Sequence, residues 1–258
     1  MPFDVNDLVS FYATPLGYFT RRTLARVVNS RWESCAGLAV MGLGFGAPYL
    51  ERFRGEARRT LAFMPAAQGV MAWPSDGPVA SALVEADMLP LPDGSIDRVL
   101  AIHALEMAED SNAVLEEIWR VLAPGGRFLL VVPSRRGVWA SIDGTPFGFG
   151  RPYSKGQLRE LLRETLFTPI YSGEALYAPP FKGRFFLRAT PALERFGAFA
   201  GLPFPGVHIV EATKQLYRPV TVRRLARRQP LALAPALAPS ARRDAGSLPV
   251  GAESASCS

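Results

Sequence analysis

Short apolar runs alternate along the chain, up to residue 220, with segments whose apolar residues recur every three or four positions. The first pattern predicts buried strands and the second predicts amphipathic helices. Alternating strands and helices are typical of a parallel sheet covered by helices, so the pattern predicts an α/β protein. The predicted strands are Gly37–Met41, Thr60–Met64, Ala82–Glu85, Asp97–Ile102, Arg127–Val132, Pro169–Leu176 and Val207–Thr213.

Several helix ends carry recognisable signals. Thr14 followed by Pro15 is a cap residue with proline in the first turn, which predicts that a helix begins there. Ser154 and Gln157 form a capping box and predict the start of another helix. The segment Phe185–Phe199 predicts a broken helix. A further helix, between the fourth and fifth strands, is predicted from its apolar face of Val114, Leu115, Ile118, Trp119, Val121 and Leu122.

The last two predicted strands follow each other without a long glycine-loop crossover, which favours an antiparallel hairpin at the sheet edge. The prediction is therefore a seven-stranded, mostly parallel sheet with an antiparallel last strand. Three regions are expected: an N-terminal helical cap over residues 1–36, the sheet domain over 37–220, and a tail over 221–258. From Gln229 onward the tail is rich in Ala, Pro and Ser and lacks aromatic residues, so it is expected to be disordered.

Composition narrows the functional classes. No apolar run approaches the ~20 residues of a membrane-spanning helix, so no membrane insertion is expected. Two cysteines among 258 residues do not make a disulfide framework and favour a reducing, cytoplasmic setting. The formal charge is +6, but six arginines from Arg223 onward carry most of it, which leaves the sheet domain nearly neutral. This distribution argues against nucleic acid as a partner. The oligomeric state is left open.

The first strand runs into a glycine-spaced loop, Gly42-Leu43-Gly44-Phe45-Gly46, with a helical segment from Pro48. Such glycines let the backbone approach a ligand beside a helix N-terminus, although a tight strand-to-helix turn is an equal alternative. No Gly-Lys-Ser/Thr follows, which excludes a phosphate loop. The second strand ends without a carboxylate, which argues against a dinucleotide site. Gly44→Val is expected to abolish ligand binding and leave the fold largely intact.

Two further segments carry a more specific pattern. Ala86–Val99 contains Asp-Met-Leu-Pro-Leu-Pro-Asp-Gly-Ser-Ile-Asp, and Leu122–Gly126 contains the Pro-Gly-Gly turn. At this spacing they closely resemble class I S-adenosylmethionine-dependent methyltransferases, in particular the type 11 methyltransferase domain. The resemblance runs from about Gly37 to Val132 and more loosely to Lys214. It implies a Rossmann-like three-layer sandwich and S-adenosylmethionine as the cofactor.

The resemblance also implies roles for individual residues. Gly42, Gly44 and Gly46 match the loop that wraps the methionine part of the cofactor. Asp87 matches the acid that accepts from the adenine amino group, with Met88 donating its backbone N–H. The segment after the fourth strand that lines the pocket is matched by His103, Ala104 and Leu105. For Asp87 the alternative is a turn-capping aspartate, and for Asp93 and Asp97 ordinary turn chemistry is favoured.

The sequence also departs from the family pattern. Val40 stands where the family has an acid before the first glycine, and Met64 or Pro65 stands where it has an acid ending the second strand. The loss of that second acid would either weaken cofactor binding or be made good by another group at the ribose, for which Gln68 is the neutral candidate. Tyr12, in the N-terminal segment, would either touch the cofactor or serve packing.

The implied reaction is methyl transfer from a sulfonium to a small-molecule acceptor. If the acceptor must lose a proton, His103 is the first candidate for the base and Glu106 the second, and each has a structural alternative. The sequence suggests no metal ligands. Because two usual acids are missing, the second hypothesis is a catalytically weak or inactive protein that binds a ligand or partner. An RNA methyltransferase, supported only by the arginines at 223–228, is the third.

Overall fold

The computed structural model describes residues 4–142, 144–180 and 184–216, with only the backbone described for 184–188. Contacts between residues divide the chain into two units, 1–218 and 219–258, and the described residues all lie in the first. The tail predicted for 221–258 therefore lies outside the described residues.

The described residues contain a seven-stranded sheet of order β3-β2-β1-β4-β5-β7-β6. Its strands are β1 Ala39–Gly44, β2 Arg59–Pro65, β3 Ser81–Val84, β4 Ile96–Ile102, β5 Leu122–Pro133, β6 Phe167–Ala175 and β7 Val207–Lys214. The first five strands pair in parallel, whereas β7 is antiparallel to both β5 and β6. The predicted mostly parallel sheet with an antiparallel last strand is confirmed. Within the terminal hairpin, β6 is the outermost strand.

Two strands extend beyond their predicted ends. The glycines expected to stop β1 remain in the ladder, because Gly42 pairs with Leu100 and Gly44 with Ile102 of β4. A strand with neighbours on both sides keeps its pairing through such residues. Similarly, β5 begins at Leu122 because this residue already pairs with Ile96.

The helices are α1 Val5–Ala13, α2 Pro15–Arg31, α3 Ala47–Leu50, α4 Ser111–Val121, α5 Lys155–Glu164 and α6 Arg184–Ala200. As predicted, Thr14 caps α2, and its hydroxyl accepts from the Gly17 N–H at 3.0 Å. The capping box of α5 is also confirmed. Two features differ: α1 was not predicted, and α6 is one continuous helix that contains Pro191 instead of a broken one.

Helices cover both faces of the sheet and produce the three-layer arrangement. On one face, Val40 and Leu100 belong to the core that contains Leu24 of α2. On the other face, alternate strand residues such as Met41 join the core that contains Ile118 of α4. This alternation follows from the two-residue period of a strand. The carboxyl ends of the parallel strands are left at one edge of the three layers.

Candidate functional site

The order of the sheet reverses direction between β1 and β4. In open α/β sheets, ligands bind in the crevice outside the carboxyl ends of the strands at such a switch point. The loop Gly44–Gly46 follows β1 there, and His103 follows β4. Two of the segments singled out in the sequence therefore meet at the position that this architecture favours for a ligand.

The glycine loop packs tightly against the chain's own backbone. Gly44 has a φ of +76°, and a Cβ built on it would lie 2.3 Å from the Ile102 carbonyl oxygen. A Cβ on Gly46 would lie 2.9 Å from the Gly42 Cα. The Phe45 N–H donates to the Ile102 carbonyl at 2.7 Å. The expectation that Gly44→Val leaves the fold intact is therefore wrong, because the new side chain would push β1 away from β4.

His103 lies at the centre of a buried hydrogen-bonded network. Its Nε2 is 2.9 Å from the Tyr12 hydroxyl, and its Nδ1 is 3.1 Å from Glu106 Oε1. The Tyr12 ring stacks on Phe45 of the glycine loop with centroids 5.1 Å apart, and the Tyr49 hydroxyl donates to that of Tyr12 at 3.5 Å. The structure thus joins the two candidate bases to each other and to the N-terminal helix.

The hydrogen-bond partners of His103 indicate which of its ring nitrogens carries the proton. With Glu106 accepting the Nδ1 proton of His103, Nε2 is left as the acceptor for the Tyr12 hydroxyl. Burial, with a smaller contribution from neighbouring Tyr49, raises the pKa of Tyr12 well above its ordinary value, so the phenol remains a donor. His103 is completely buried, and its Nε2 is covered by Tyr12. This arrangement orients the imidazole but does not leave it open to solvent.

Two buried acceptors beside His103 have no hydrogen-bond partner among the described residues. The Gln68 side-chain amide donates from Nε2 to the His103 carbonyl at 3.0 Å, so its Oε1 points elsewhere and is unpaired. Glu106 Oε2 is likewise unpaired. Buried acceptors of this kind each cost about 1–3 kcal/mol when no donor reaches them. A bound ligand carrying O–H or N–H groups would supply the missing donors.

Gln68 also lines a small crevice at the carboxyl ends of β2, β3 and β4. The crevice encloses about 80 Å³ and has mostly apolar walls. It is lined by Pro65, Ala67, Gln68, Ala86, Ala104, Met107 and Ala108. Pockets for whole cofactors usually measure roughly 300–1,000 Å³. The crevice therefore has room for part of a ligand only.

Asp87 follows the crevice residue Ala86. Its carboxylate is exposed and makes no hydrogen bond or ion pair with the described residues, so a capping role finds no support in these contacts. The Met88 side chain is exposed. The backbone N–H of Met88 donates to the Glu85 carbonyl at 3.1 Å within the turn. Two other aspartates are structural: Asp93 pairs with Arg120, and Asp97 accepts from the Ala39 N–H.

Residues 40–130 match the family described as "Methyltransferase domain". The same region brings together the glycine loop, Asp87 and the His103 segment. This part of the chain is therefore similar to a methyltransferase domain.

Curated methyltransferases share short stretches of sequence with this chain. A ubiquinone/menaquinone biosynthesis C-methyltransferase of Acidiphilium cryptum is 41% identical over 63 residues, which are 24% of this chain and 25% of that relative. A probable S-adenosylmethionine-dependent methyltransferase of Mycolicibacterium smegmatis is 45% identical over 47 residues, 18% of each chain. The match thus spans a quarter or less of the length of these relatives.

Solved methyltransferase structures share the fold over a much larger part of the chain. A possible histamine N-methyltransferase from Thermotoga maritima is similar with a TM-score of 0.56 and 15% identity, covering 82% of this chain and 96% of its own. A geranyl diphosphate C-methyltransferase from Streptomyces coelicolor A3(2) has a TM-score of 0.54 and 16% identity, covering 74% and 76%. These similarities confirm the Rossmann-like fold expected from the sequence.

In the region that matches this family, core residues stand at the positions of the two missing acids. Val40 and Met64 are completely buried and belong to the same apolar cluster. The expected substitute, Gln68, lies beyond the end of β2 and turns its unpaired oxygen away from His103. An uncharged acceptor therefore stands just beyond the end of β2, where the expected acid is missing.

Two remaining candidates, Ala104 and Leu105, follow His103 and are buried. Only Ala104 contributes to the crevice wall. Within the described ranges of the chain, no group of three or more His, Cys, Asp or Glu could hold a metal ion. No helix in that same part is long and apolar enough to cross a bilayer.

Proposed function

We propose that this chain transfers a methyl group from S-adenosylmethionine to a small-molecule acceptor. The observation that carries the proposal is the crevice at the ends of β2, β3 and β4. Asp87, whose carboxylate is free, directly follows the crevice residue Ala86, and Gln68, whose buried Oε1 is unpaired, is another of the crevice residues. A ligand with an amino group and hydroxyl groups would satisfy both acceptors.

The residues present fit the adenosine part of the cofactor. In the proposal, Asp87 accepts from the adenine amino group, while Ala86 and Ala104 provide small apolar walls beside the ring. Gln68 Oε1 accepts from a ribose hydroxyl in place of the carboxylate that the family has there. The loop Gly42–Gly46 and the buried network around His103 then bound the methionine side.

When bound, the cofactor supplies a methyl group already activated on a sulfonium. The chain's own task is therefore positioning and exclusion of water. For acceptors that must lose a proton, we assign His103 Nε2 as the base and Glu106 as the group that holds its Nδ1 proton. In the structure, the Tyr12 hydroxyl is hydrogen-bonded to this Nε2. Tyr12 would have to be displaced by the acceptor for His103 to act directly.

The names of similar proteins support a small-molecule acceptor. They include a ubiquinone/menaquinone biosynthesis methyltransferase and a geranyl diphosphate methyltransferase. For the location we propose the cytoplasm, which rests on the low cysteine content. Cys35 is buried as a free thiol, and burial raises its pKa to about 11, so it is poorly reactive.

Calorimetric titration of the full chain with S-adenosylmethionine, S-adenosylhomocysteine and adenosine tests the proposal. Micromolar binding of the first two, with weaker binding of adenosine, is the expected result. Absence of binding at millimolar S-adenosylmethionine would refute the cofactor assignment and leave the hypothesis of an inactive partner-binding protein.

A further inference from the structure

A second, larger cavity lies where β5, β6 and β7 meet at the same edge of the sheet. Its volume is about 500 Å³, within the range of ordinary small-molecule pockets. Ser134 stands at the end of β5, Glu174 near the end of β6 and His208 near the start of β7. The first turn of α5 and the loop Gly201–Pro205 complete its wall.

Positive charge predominates in this cavity. Its ionisable residues are Arg136, Lys155, Glu174 and His208. Lys155 Nζ lies 3.0 Å from Glu174 Oε1, so these two charges offset each other. Arg136 makes no ion pair or hydrogen bond through its side chain within the described part of the chain, and it is exposed toward the cavity. One guanidinium group is therefore left without a counter-ion.

The first turn of α5 adds backbone donors on the same wall. Ser154 caps the helix through the Gln157 N–H at 3.3 Å, which leaves the N–H groups of Lys155 and Gly156 for other acceptors. A Cβ built on Gly156 would meet no atom within 4 Å, so the approach to this turn is open. Unpaired amides at a helix N-terminus attract anions.

His208 provides an independent sign that a ligand is missing from the cavity. The residue is only 6% exposed, and its Nδ1 makes no hydrogen bond with the described residues. Glu174 Oε1 lies 3.3 Å from Nδ1, close enough for an ion pair when the ring is protonated, but the two atoms do not meet hydrogen-bond geometry. A buried ring nitrogen without a hydrogen bond is uncommon in folded proteins, unless a ligand or a water molecule supplies the partner.

We infer that this cavity binds the phosphate or carboxylate group of the methyl acceptor. Arg136 and the first turn of α5 hold the oxyanion, and His208 Nδ1 binds a polar hydrogen beside it. Guanidinium groups suit oxyanions because their N–H groups match the spacing of the two oxygens. The inference rests on the proposed function only in identifying the ligand as the acceptor, whereas the oxyanion site stands on the cavity alone.

The test is titration of the full chain with sodium orthophosphate and with succinate, at constant ionic strength and without cofactor. Binding is followed by calorimetry and by the melting temperature. We expect saturable binding of at least one anion, weakened about tenfold by Arg136→Gln and partly restored by Arg136→Lys. The matched control is Arg135→Gln, which removes the same charge from the neighbouring exposed residue that does not line the cavity.

Each outcome decides the question. Phosphate preference indicates a phosphorylated acceptor, and succinate preference indicates a carboxylate. Equal weakening by Arg135→Gln and Arg136→Gln would show general charge attraction and overturn the site, as would absence of saturable binding. Titration of Arg136→Gln with S-adenosylmethionine separates the two proposals, because this variant should retain the cofactor affinity of the parent.

Discussion

Aspartates with similar sequence surroundings have different roles in this domain. Asp93 and Asp97 are engaged by Arg120 and by the Ala39 N–H, whereas the carboxylate of Asp87 is free of contacts within the described ranges. An acid that stabilises nothing in the fold can be changed without damage to it. This difference makes Asp87 the best position for testing the cofactor site.

We expect Asp87→Asn to weaken S-adenosylmethionine binding about ten- to hundredfold, which corresponds to about 1.5–3 kcal/mol for a lost charge-assisted hydrogen bond. The melting temperature should stay at the parent value. Glu116→Gln removes an exposed acid from α4 and serves as the control. Unchanged affinity in Asp87→Asn, measured by calorimetry, would remove the adenine assignment.

Two glycines share the left-handed backbone conformation but differ in the room that each leaves for a side chain. Gly44 has a φ of +76° and Gly125 a φ of +74°, but only Gly44 has backbone atoms in the place of a Cβ. The left-handed conformation costs an alanine about 1–2 kcal/mol at either position. The overlap at Gly44 adds about 1–3 kcal/mol more. Urea unfolding should therefore show Gly44→Ala as the less stable variant, and equal losses would contradict the close contact between β1 and β4.

The buried ring of His208 predicts a pH dependence of stability. Burial lowers its pKa below the ordinary 6.5, an effect that Glu174 opposes and Lys155 reinforces. The unfolded chain therefore takes up the proton first, and the free energy of unfolding should decrease as the pH falls below about 6.5. In phosphate-free buffer, His208→Gln should lose less stability than the parent between pH 7.5 and 5.5. An identical pH dependence would contradict the lowered pKa.

At the level of elements, a single carboxylate attaches α6 to the chain that follows β6. Glu194 accepts from the N–H groups of Leu176 and Tyr177 at 2.7 Å each, and of Ala178 at 3.3 Å. Burial raises the pKa of Glu194, although the three amide donors act in the opposite direction. The contact holds α6 in place through the N–H groups of residues 176–178, which lie beyond the end of β6.

Glu194→Ala should lower the free energy of unfolding by about 1.5–3 kcal/mol, because the three N–H groups lose a charged acceptor. Glu164→Ala, on the exposed end of α5, should change it by less than about 0.5 kcal/mol. Chemical denaturation of both variants provides the measurement. A loss in Glu194→Ala no greater than that of its control would show that α6 is held by apolar contacts alone.

Elements with strong local signals could be predicted from the sequence, whereas those determined by neighbours could not. The capping box of α5, the Thr14-Pro15 start of α2 and the apolar face of α4 are local signals, and each predicted its element. The extension of β1 through two glycines depends on β4, which lies more than fifty residues away. The continuity of α6 through Pro191 likewise has no local signal.

For the whole molecule, the described residues end near the boundary between the two units of the chain. Deleting residues 229–258 should change the free energy of unfolding by less than about 1 kcal/mol, since this segment carries few residues able to form a core. Thermal and urea unfolding of the shortened chain test this expectation. A large drop in melting temperature would show that the tail packs on the domain.

Only those residues of the candidate site that directly follow a strand could be predicted from the sequence. The family resemblance predicted the glycine loop, Asp87 and His103, and Glu106 was added as a second candidate base because it lies three residues after His103. The placement of Tyr12 on His103 depends on α1 folding across the sheet, which no motif indicates. The cavity with Arg136 and His208 joins residues separated by more than seventy positions, and only the capping box of α5 marked any part of it beforehand.

The position of β7 between β5 and β6 also has a consequence for biosynthesis. In the sheet, β6 pairs only with β7, yet it leaves the ribosome more than thirty residues earlier. Until Val207–Lys214 has been translated, β6 has no partner, and the edge of β5 is open to other chains. A premature stop before Val207 would leave both strands in that state, so the last ten described residues decide whether the edges of β5 and β6 are covered in a nascent chain.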